Sequence, residues 1–299
     1  MEFKQLEAFA SVVRLGSFSR AAEALFLTQP TVSAHVMALE RELGVKLVAR
    51  LAKGAAPTET GKILYEYAQS MLSLRDDAVE KCKNRGGEVC GKVNIAASTV
   101  TYQYVLPRVM SLFRQSYPNI TFDIQSMDSA GVALAIMSGK AELGMSGAVM
   151  NPDSCRYVEF MDDSLVVIAP PQGPYSPEGE ALSAGELARY PFILREEGSG
   201  TLKETEDYLR AHGTGLSALN VVARMEEPDA IKNAVSQGLG ISIVSRMAVS
   251  DFVRLGLVRA IPLEGDGIRR KLYIVCHKSR PLSNAASAFL SFALEKFKT

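Results

Sequence analysis

Apolar side chains recur every three or four residues through the first 43 positions, then in separate short bursts to the C-terminus. Phe3, Leu6, Phe9, Ala10 and Val13 form one stripe, and Gly16 follows it, so a helix is expected from about Glu2 to Leu15. Ala21, Ala22 and Leu25 give a short second helix; Val32, Val36, Leu39 and Leu43 give a third, ended by Gly44. Ser19 is a candidate cap for the second helix. Thr28 is one for the third, with Pro30 in the opening turn, where its missing N–H costs nothing. The small Ala21 and Ala22 let two helices cross closely, as a helix-turn-helix requires. Gln29, Thr31 and Ser33 then lie off the apolar stripe. Short polar groups at the front of such a helix reach base edges, and hydroxyls and backbone N–H groups take phosphates. A capped surface helix pair is the plainer reading of the same pattern.

Beyond Gly44 the period changes. The stretch Val45 to Thr58 reads as a short hairpin or wing, with turns at Gly54 and Pro57 and two cations, Arg50 and Lys53, placed to meet phosphates or simply solvated. A long helix is expected from Thr58 to about Arg85, capped by Thr58 or Thr60. Its Leu64, Tyr67, Met71, Leu74 and Ala78 are spaced as a coiled-coil seam, which wants either a partner helix or the chain's own domain. Asn84 to Gly87 break the pattern as a hinge. Strands and helices then alternate: Lys92–Ala97, a helix through Leu106 to Phe113, Ile120–Ser126, a helix from Ala130 to Ser138, and Glu142–Ser146, a βαβαβ unit with a parallel sheet. Tyr157–Phe160 and Ser164–Ala169 read as two further strands, the second ended by Pro170, Pro171 and Pro174. A second unit has strands at Phe192–Leu194, Val221–Met225, Ile241–Val244 and Leu257–Ile261, with helices to about His212 and from Asp229 to Gln237. Lys271–Cys276 and a helix over Asn284–Phe297 return to the first unit.

Composition narrows the classes. At 299 residues the chain has room for two or three domains, and its 33 basic and 33 acidic side chains exclude a histone-like polycation. DNA binding needs only a local basic surface, and residues 1–62 carry eight Lys and Arg against six Glu, a surplus of two. The four cysteines form no CxxC pair and fit no metal spacing; with no signal-peptide pattern and no apolar run of membrane-spanning length, a reduced, cytoplasmic protein with no membrane association is expected. Cys82, between Lys81 and Lys83, is the one with evident cationic neighbours. The three histidines make no triad or metal pattern, and GSGT at 198–201 lacks the lysine of a P-loop. No enzyme activity, cofactor or metal is expected.

The N-terminal third resembles the LysR-type transcriptional regulators. The carriers are FxxVVRLGSFSRAAEALFLTQPTVSAHVMALERELGVKL, then Arg50, then PTETG at 57–61. GSGT at 198–201 and GLGISIV at 238–244 are weaker carriers across the rest of the chain. The resemblance implies an α/β protein in three parts. A winged helix-turn-helix occupies 1–58, and a dimerising linker helix and hinge 59–87. A two-lobed effector domain like periplasmic binding proteins occupies 88–299, with lobe I at about 88–162 and 269–299 and lobe II at about 163–268. It implies binding to promoter DNA as a homodimer through the linker helix, usually as a homotetramer, with RNA polymerase as a further partner. Carried over by position, Gln29, Pro30, Thr31 and Ser33 are recognition-helix residues, Ser17, Ser19 and Arg20 lie near the DNA backbone with Thr28, and Arg50 and Lys53 are wing cations. The chain departs from the family at Ala34 and His35, where many members carry Arg-Gln, and at Val48, where an aromatic is common; His35 is the candidate contact in the arginine's place.

Two loops are candidates for the effector. Ser98, Thr99 and Thr101 follow the first strand of one lobe and open a helix; Gly198, Ser199, Gly200 and Thr201 do the same in the other. Hydroxyls and free N–H groups at helix N-termini bind small anions. Ser126, Ser129 and Gly147 end neighbouring strands and complete the expected pocket. Glu196, Glu197, Glu226 and Glu227 either face solvent or select a ligand with a positive group, such as an amino acid. The expected protein is an effector-responsive, sequence-specific DNA-binding regulator whose ligand is a small oxyanion, carboxylate or amino acid. A solute-binding protein for a small anion, or a small-molecule enzyme with a DNA-binding appendage, are the alternatives.

Overall fold

The computed structural model describes residues 1–51, 54–83, 89–173, 175 and 181–297. The chain divides into two units, Met1–Glu88 and Val89–Thr299. The first holds α1 (Phe3–Leu15), α2 (Phe18–Ala24), α3 (Gln29–Leu43), the hairpin β1 (Val48–Leu51) and β2 (Gly54–Pro57), and α4 (Glu59–Lys83). The helical stripes account for its core: Leu6, Phe9, Val12, Ala21, Ala22, Val32, Val36 and Leu39 are buried together with Leu47 and Ala68. Capping differs from expectation at α2, where Ser17, not Ser19, accepts the N–H of Arg20 at 3.4 Å. Thr28 caps α3 and Thr58 opens α4, accepting from Thr31 and Gly61 respectively. Between α2 and α3, Phe26 takes a left-handed φ of 55° and is 97% exposed.

The coiled-coil seam of α4 is divided. Leu64 and Met71, with Ala68, Tyr65 and Leu72, pack on the unit's own core, and Arg75 pairs with Glu7 of α1 at 3.0 Å. Ile63, Tyr67 and Leu74 remain 60, 64 and 53% exposed, an apolar row at coiled-coil spacing on another face of the helix.

The second unit runs β3 (Gly91–Ser98), a π-helical turn (Thr101–Val105), α5 (Leu106–Ser116), β4 (Ile120–Met127), α6 (Ser129–Met137), β5 (Leu143–Ser146), β6 (Cys155–Ala169), α7 (Ala184–Leu187), β7 (Pro191–Arg195), α8 (Gly200–Ala211), β8 (Asn220–Met225), α9 (Pro228–Ser236), β9 (Ser242–Ser245), α10 (Arg246–Arg254), β10 (Arg259–Ile261), β11 (Ile268–His277) and α11 (Asn284–Phe297). A seven-stranded sheet has the order β10-β6-β11-β5-β3-β4, with β9 also on β6. β3 pairs in parallel with β4 and β5, as a βαβαβ unit requires. β7 and β8 form a second, parallel pair.

Two lobes follow from the cores. One is built around β3, Phe113, Phe160, Leu272 and Phe289; the other around Leu165, Phe192, Leu209, Ile243 and Ile268. β6 and β11 run antiparallel through both, with a bulge between Leu272 and Tyr273. The polar Asp162-Asp163 step reads as a break between two strands. It lies instead inside one 15-residue strand, crossing where neither lobe supplies apolar cover and Arg270 of β11 answers Asp163. The sequence reading also passed over α10, whose nine residues bury only Ala248 and Val249. The hinge at Asn84–Gly87, Lys53 and Pro174 lie outside the described residues.

Candidate DNA and effector sites

The front of α3 is open. Thr28, Gln29 and Pro30 are exposed, as are Ser19 and Arg20 beside them; Ser17, Thr31, Ser33 and His35 are half-buried. The Thr31 hydroxyl lies 2.7 Å from that of Thr28, so part of its capacity is already used. Gln29, at the first helical position, makes no such contact among the described residues, so its amide is free to donate and accept. Arg20 donates to the carbonyl of Leu15. Arg50 sits in β1 opposite Ala55, and the amide of Ala55 donates to the carbonyl of Gly16 at 2.8 Å, tying the wing to the α1–α2 turn. Glu40 ties it to α3. Its buried carboxylate accepts the N–H groups of Leu47 at 2.9 Å and Val48 at 3.2 Å, and Lys46 at 2.6 Å. Burial pushes this carboxyl up, but those hydrogen bonds outweigh it and hold the group below its usual range.

Between the lobes, the carboxyl ends of β3, β4, β5 and β7 converge with β11. The space is lined by Ser98, Thr99, Val100, Asp128, Ser129 and Gly147 on one side and Arg195, Ser199, Gly200, Thr201 and Arg270 on the other, and its volume is about 10 Å³, room for about one water. The cleft is therefore closed on itself. Arg195 donates across it to the hydroxyl of Thr99 at 3.2 Å and grips Glu196 with two hydrogen bonds of 2.7 Å. Arg270 donates to Thr201 at 3.2 Å and to Asp163 at 2.8 Å through Nε, and Asp163 in turn accepts from Ser245 at 2.8 Å. Arg270 Nη2 lies 2.7 Å from the same Asp163 oxygen, yet it makes no properly angled hydrogen bond and is buried. We read the pair as a real ion contact whose second nitrogen keeps unspent donor capacity. The N-termini of α6 and α8 open onto the same space, capped by Asp128 and Ser199.

Close approach of backbone holds the lobes together here. Gly198 sits at φ 87°, and a Cβ on it would fall 2.2 Å from an Asp128 oxygen; its carbonyl accepts from Ala130 at 3.3 Å. Farther out, the Tyr104 hydroxyl on the π-helical turn donates to Asp229 at 3.0 Å and accepts from the buried Lys232 at 3.3 Å, while Gln103 donates to Glu227 at 3.2 Å. Burial, then the Asp229 contact, pushes the Tyr104 phenol up to about 12.

Family models match both units. That for the bacterial regulatory helix-turn-helix proteins of the lysR family matches residues 3–62, and that for the LysR substrate binding domain matches residues 86–298. The chain belongs to the LysR family. Over 296 residues it is 32% identical to the RuBisCO operon transcriptional regulator of Allochromatium vinosum, covering 99% of this chain and 96% of the relative. A full-length OxyR variant from Pseudomonas aeruginosa has the same fold, with a TM-score of 0.78 at 19% identity over 98% of this chain and 94% of the other. The CcmR regulatory domain of Synechocystis PCC6803, solved in complex with 2-PG, superposes with a TM-score of 0.64 at 23% identity, covering 70% of this chain and 98% of that domain.

As a LysR-family regulator the protein binds DNA through its N-terminal unit and a small-molecule effector through its C-terminal one. Of the effector residues expected from sequence, Ser98, Thr99, Ser129, Gly147, Ser199, Gly200 and Thr201 line the cleft, and Gly198 braces it. Ser126 is exposed and outside it, and Thr101 turns its hydroxyl inward to the carbonyls of Ser98 and Met145. Sequence reasoning missed Arg195 and Arg270. Arg195 carried a signal, a lone cation ending the apolar strand FIL; Arg270 carried none, being one of two adjacent arginines far along the chain. Glu197 and Glu226 face solvent, whereas Glu196 and Glu227 are engaged by Arg195 and Gln103. Cys155 and Cys276 are buried in the cores, and burial pushes the Cys155 thiol up. Among the described residues no group of three or more His, Cys, Asp and Glu could hold a metal ion, and no helix is long and apolar enough to cross a membrane.

Proposed function

We propose that this regulator acts in the cytoplasm as a homodimer or homotetramer joined through α4, and that a small carboxylate or phosphate-like oxyanion between its lobes sets how it holds promoter DNA and meets RNA polymerase. In this reading residues 1–58 read DNA, 59–87 dimerise and hinge, and 88–299 sense the effector. The observation that carries it is the unspent buried nitrogen of Arg270 facing the same narrow space as Arg195, five hydroxyls and two helix N-termini. Each guanidinium is matched by a carboxylate of the chain itself, Glu196 or Asp163, so an entering anion replaces an internal one and opens the lobes by a controlled amount. The exposed Ile63, Tyr67 and Leu74 support the dimer. The complex of CcmR with 2-PG supports a small ligand in this domain.

Gel shift against a RuBisCO operon promoter, after the Allochromatium vinosum relative, and against the region upstream of its own gene tests the first half. Salt-sensitive, sequence-specific binding is expected, and its absence on both sinks the reading. Gln29→Ala should cost about 1–3 kcal/mol of discrimination at one base position, whereas Arg50→Ala should weaken binding to all sequences and flatten the salt slope. For the second half, phosphate and small carboxylates should raise the melting temperature of the wild type and leave Arg195→Ala unmoved; an equal response of both would overturn the anion site.

A further inference from the structure

We propose that a groove sharing Arg270 with the cleft, about 610 Å³ in volume and lined by Asp162, Ser164, Glu204, Arg269, Lys271 and Tyr273, is a second ligand site that takes a free α-amino acid. The groove lies where β6 and β11 cross between the lobes, with α8 against them. Its charges cancel in pairs, with two left over. Lys271 meets Asp162 at 2.6 Å and Arg270 meets Asp163 at 2.7 Å. Glu204, one turn into α8, makes no hydrogen bond or ion pair with the described residues, and neither does Arg269 on β11. Glu204 is half-buried, and loss of water pushes its carboxyl up, against the smaller pull of Lys203 and Arg270.

Such a carboxyl gains more from a charged N–H donor than an exposed one would, because it has already lost its water. Arg269 offers the complementary fork, whose planar donors match a carboxylate in bidentate fashion. A ligand carrying an ammonium for Glu204 and a carboxylate for Arg269 answers both with one small molecule. The groove is within the ordinary range for small-molecule sites. A divalent cation fits less well, since no group of three or more His, Cys, Asp and Glu among the described residues is placed to hold one. The site does not depend on the anion reading of the cleft. It adjoins it through Arg270, so its occupant would bear on the Arg270–Asp163 pair and alter how the lobes close.

Thermal unfolding of the full chain, run with each common amino acid, with ethylamine, with acetate and with magnesium, tests this. At roughly ten times its dissociation constant a ligand should raise the midpoint by roughly 3–6 °C for a domain of this size. At least one amino acid is expected to do so, with ethylamine and acetate far weaker at the same concentration. Arg269→Ala, an exposed substitution that leaves the fold alone, and Glu204→Gln should each weaken it about tenfold or more, and Thr99→Ala in the cleft should leave it intact. No shift with any amino acid overturns the proposal. So does a shift that survives Arg269→Ala and Glu204→Gln but is lost in Thr99→Ala, which would place the amino acid in the cleft, and so does a magnesium shift lost in Glu204→Gln.

Discussion

The front of α3 and the interlobe cleft are both rings of hydroxyls, amides and guanidinium groups at helix N-termini, but they are held in opposite states. At the front of α3, Ser19, Arg20, Thr28 and Gln29 stand in the open. Gln29 and Ser19 have no hydrogen-bond partner among the described residues to give up, so in the proposed reading DNA would meet a surface already built. In the cleft both guanidinium groups are buried and paired inside the molecule, Arg195 with Glu196 and Thr99, Arg270 with Asp163 and Thr201, and only Nη2 of Arg270 keeps donor capacity to spare. A ligand there must exchange one charge-assisted contact for another, so its net affinity is a small difference between large terms. The difference suits a regulator. In the proposed reading the DNA-facing surface is constant and the cleft is poised, since an exchange near balance is what a modest change in effector concentration can tip.

The largest test is to remove one member of the poised pair. Arg270→Ala leaves Asp163 buried without its cation, and the second unit should lose about 3–5 kcal/mol in urea unfolding. Replacing both, as Arg270→Met with Asp163→Leu, should recover most of that stability while the response to anionic effectors stays lost. If the double variant regained ligand response, Arg270 would be a structural partner only and the contrast between the two sites would fail.

The reader has a buried carboxylate of its own, and it tests whether that site is as prebuilt as it looks. Glu40→Gln gives up charge-assisted contacts to two backbone N–H groups at the root of the wing, a cost of about 1.5–3 kcal/mol. Because the folded carboxyl lies below its usual value, its contribution is present above the unfolded value of about 4.3 and is lost as pH falls through the folded one. Melting of the wild type should therefore fall across that acid window more steeply than melting of Glu40→Gln. DNA binding by the variant should weaken for all sequences alike, since the wing and not the base-reading front is loosened. Loss of base preference instead would show that Glu40 positions Gln29.

The two sites were also unequally legible. The reader is contiguous: Ser17 to Ser33 lie on two short helices whose stripes, caps and glycine stops are visible in one window, so only the choice of Ser17 over Ser19 as cap was misjudged. The cleft is assembled from five separated stretches. Its loops were readable because hydroxyls after a strand announce a helix N-terminus. Arg270 was not, because its role depends on β11 running antiparallel to β6 and setting it beside Asp163, a pairing across more than a hundred residues that no local pattern carries. The same long-range pairing explains why the sequence splits β6 into two strands at Asp162-Asp163. The seam on α4 was visible as a period, but which half of it would be covered by α1 depended on tertiary packing.

A milder perturbation loosens the cleft without touching its floor. Tyr104→Phe removes the hydrogen bonds to Asp229 and Lys232 but keeps the ring against the lysine. The closed arrangement should lose about 1 kcal/mol, with faster hydrogen exchange at the amides of the Thr101–Val105 turn and of α9 and a few-fold faster effector entry. Unchanged exchange would mean that the Gly198–Ala130 contact, not the phenol, holds the lobes shut.

The smallest expected effect concerns Phe26, the one non-glycine residue with a left-handed backbone among the described residues of the first unit. A left-handed phenylalanine costs about 1–2 kcal/mol relative to an ordinary backbone, and its 97% exposed ring wins nothing back from packing. Phe26→Gly relieves that strain, offset by about 0.5–1 kcal/mol of extra freedom in the unfolded chain, so the first unit should gain about 0.5–1 kcal/mol. What happens to DNA affinity then decides the meaning of the strain. Weaker binding in a more stable variant would show that the ring meets the duplex, and that the open reader also holds back a contact until DNA arrives. Binding that rises or stays constant would leave the strain without a function and the reader wholly prebuilt, in full contrast to the cleft.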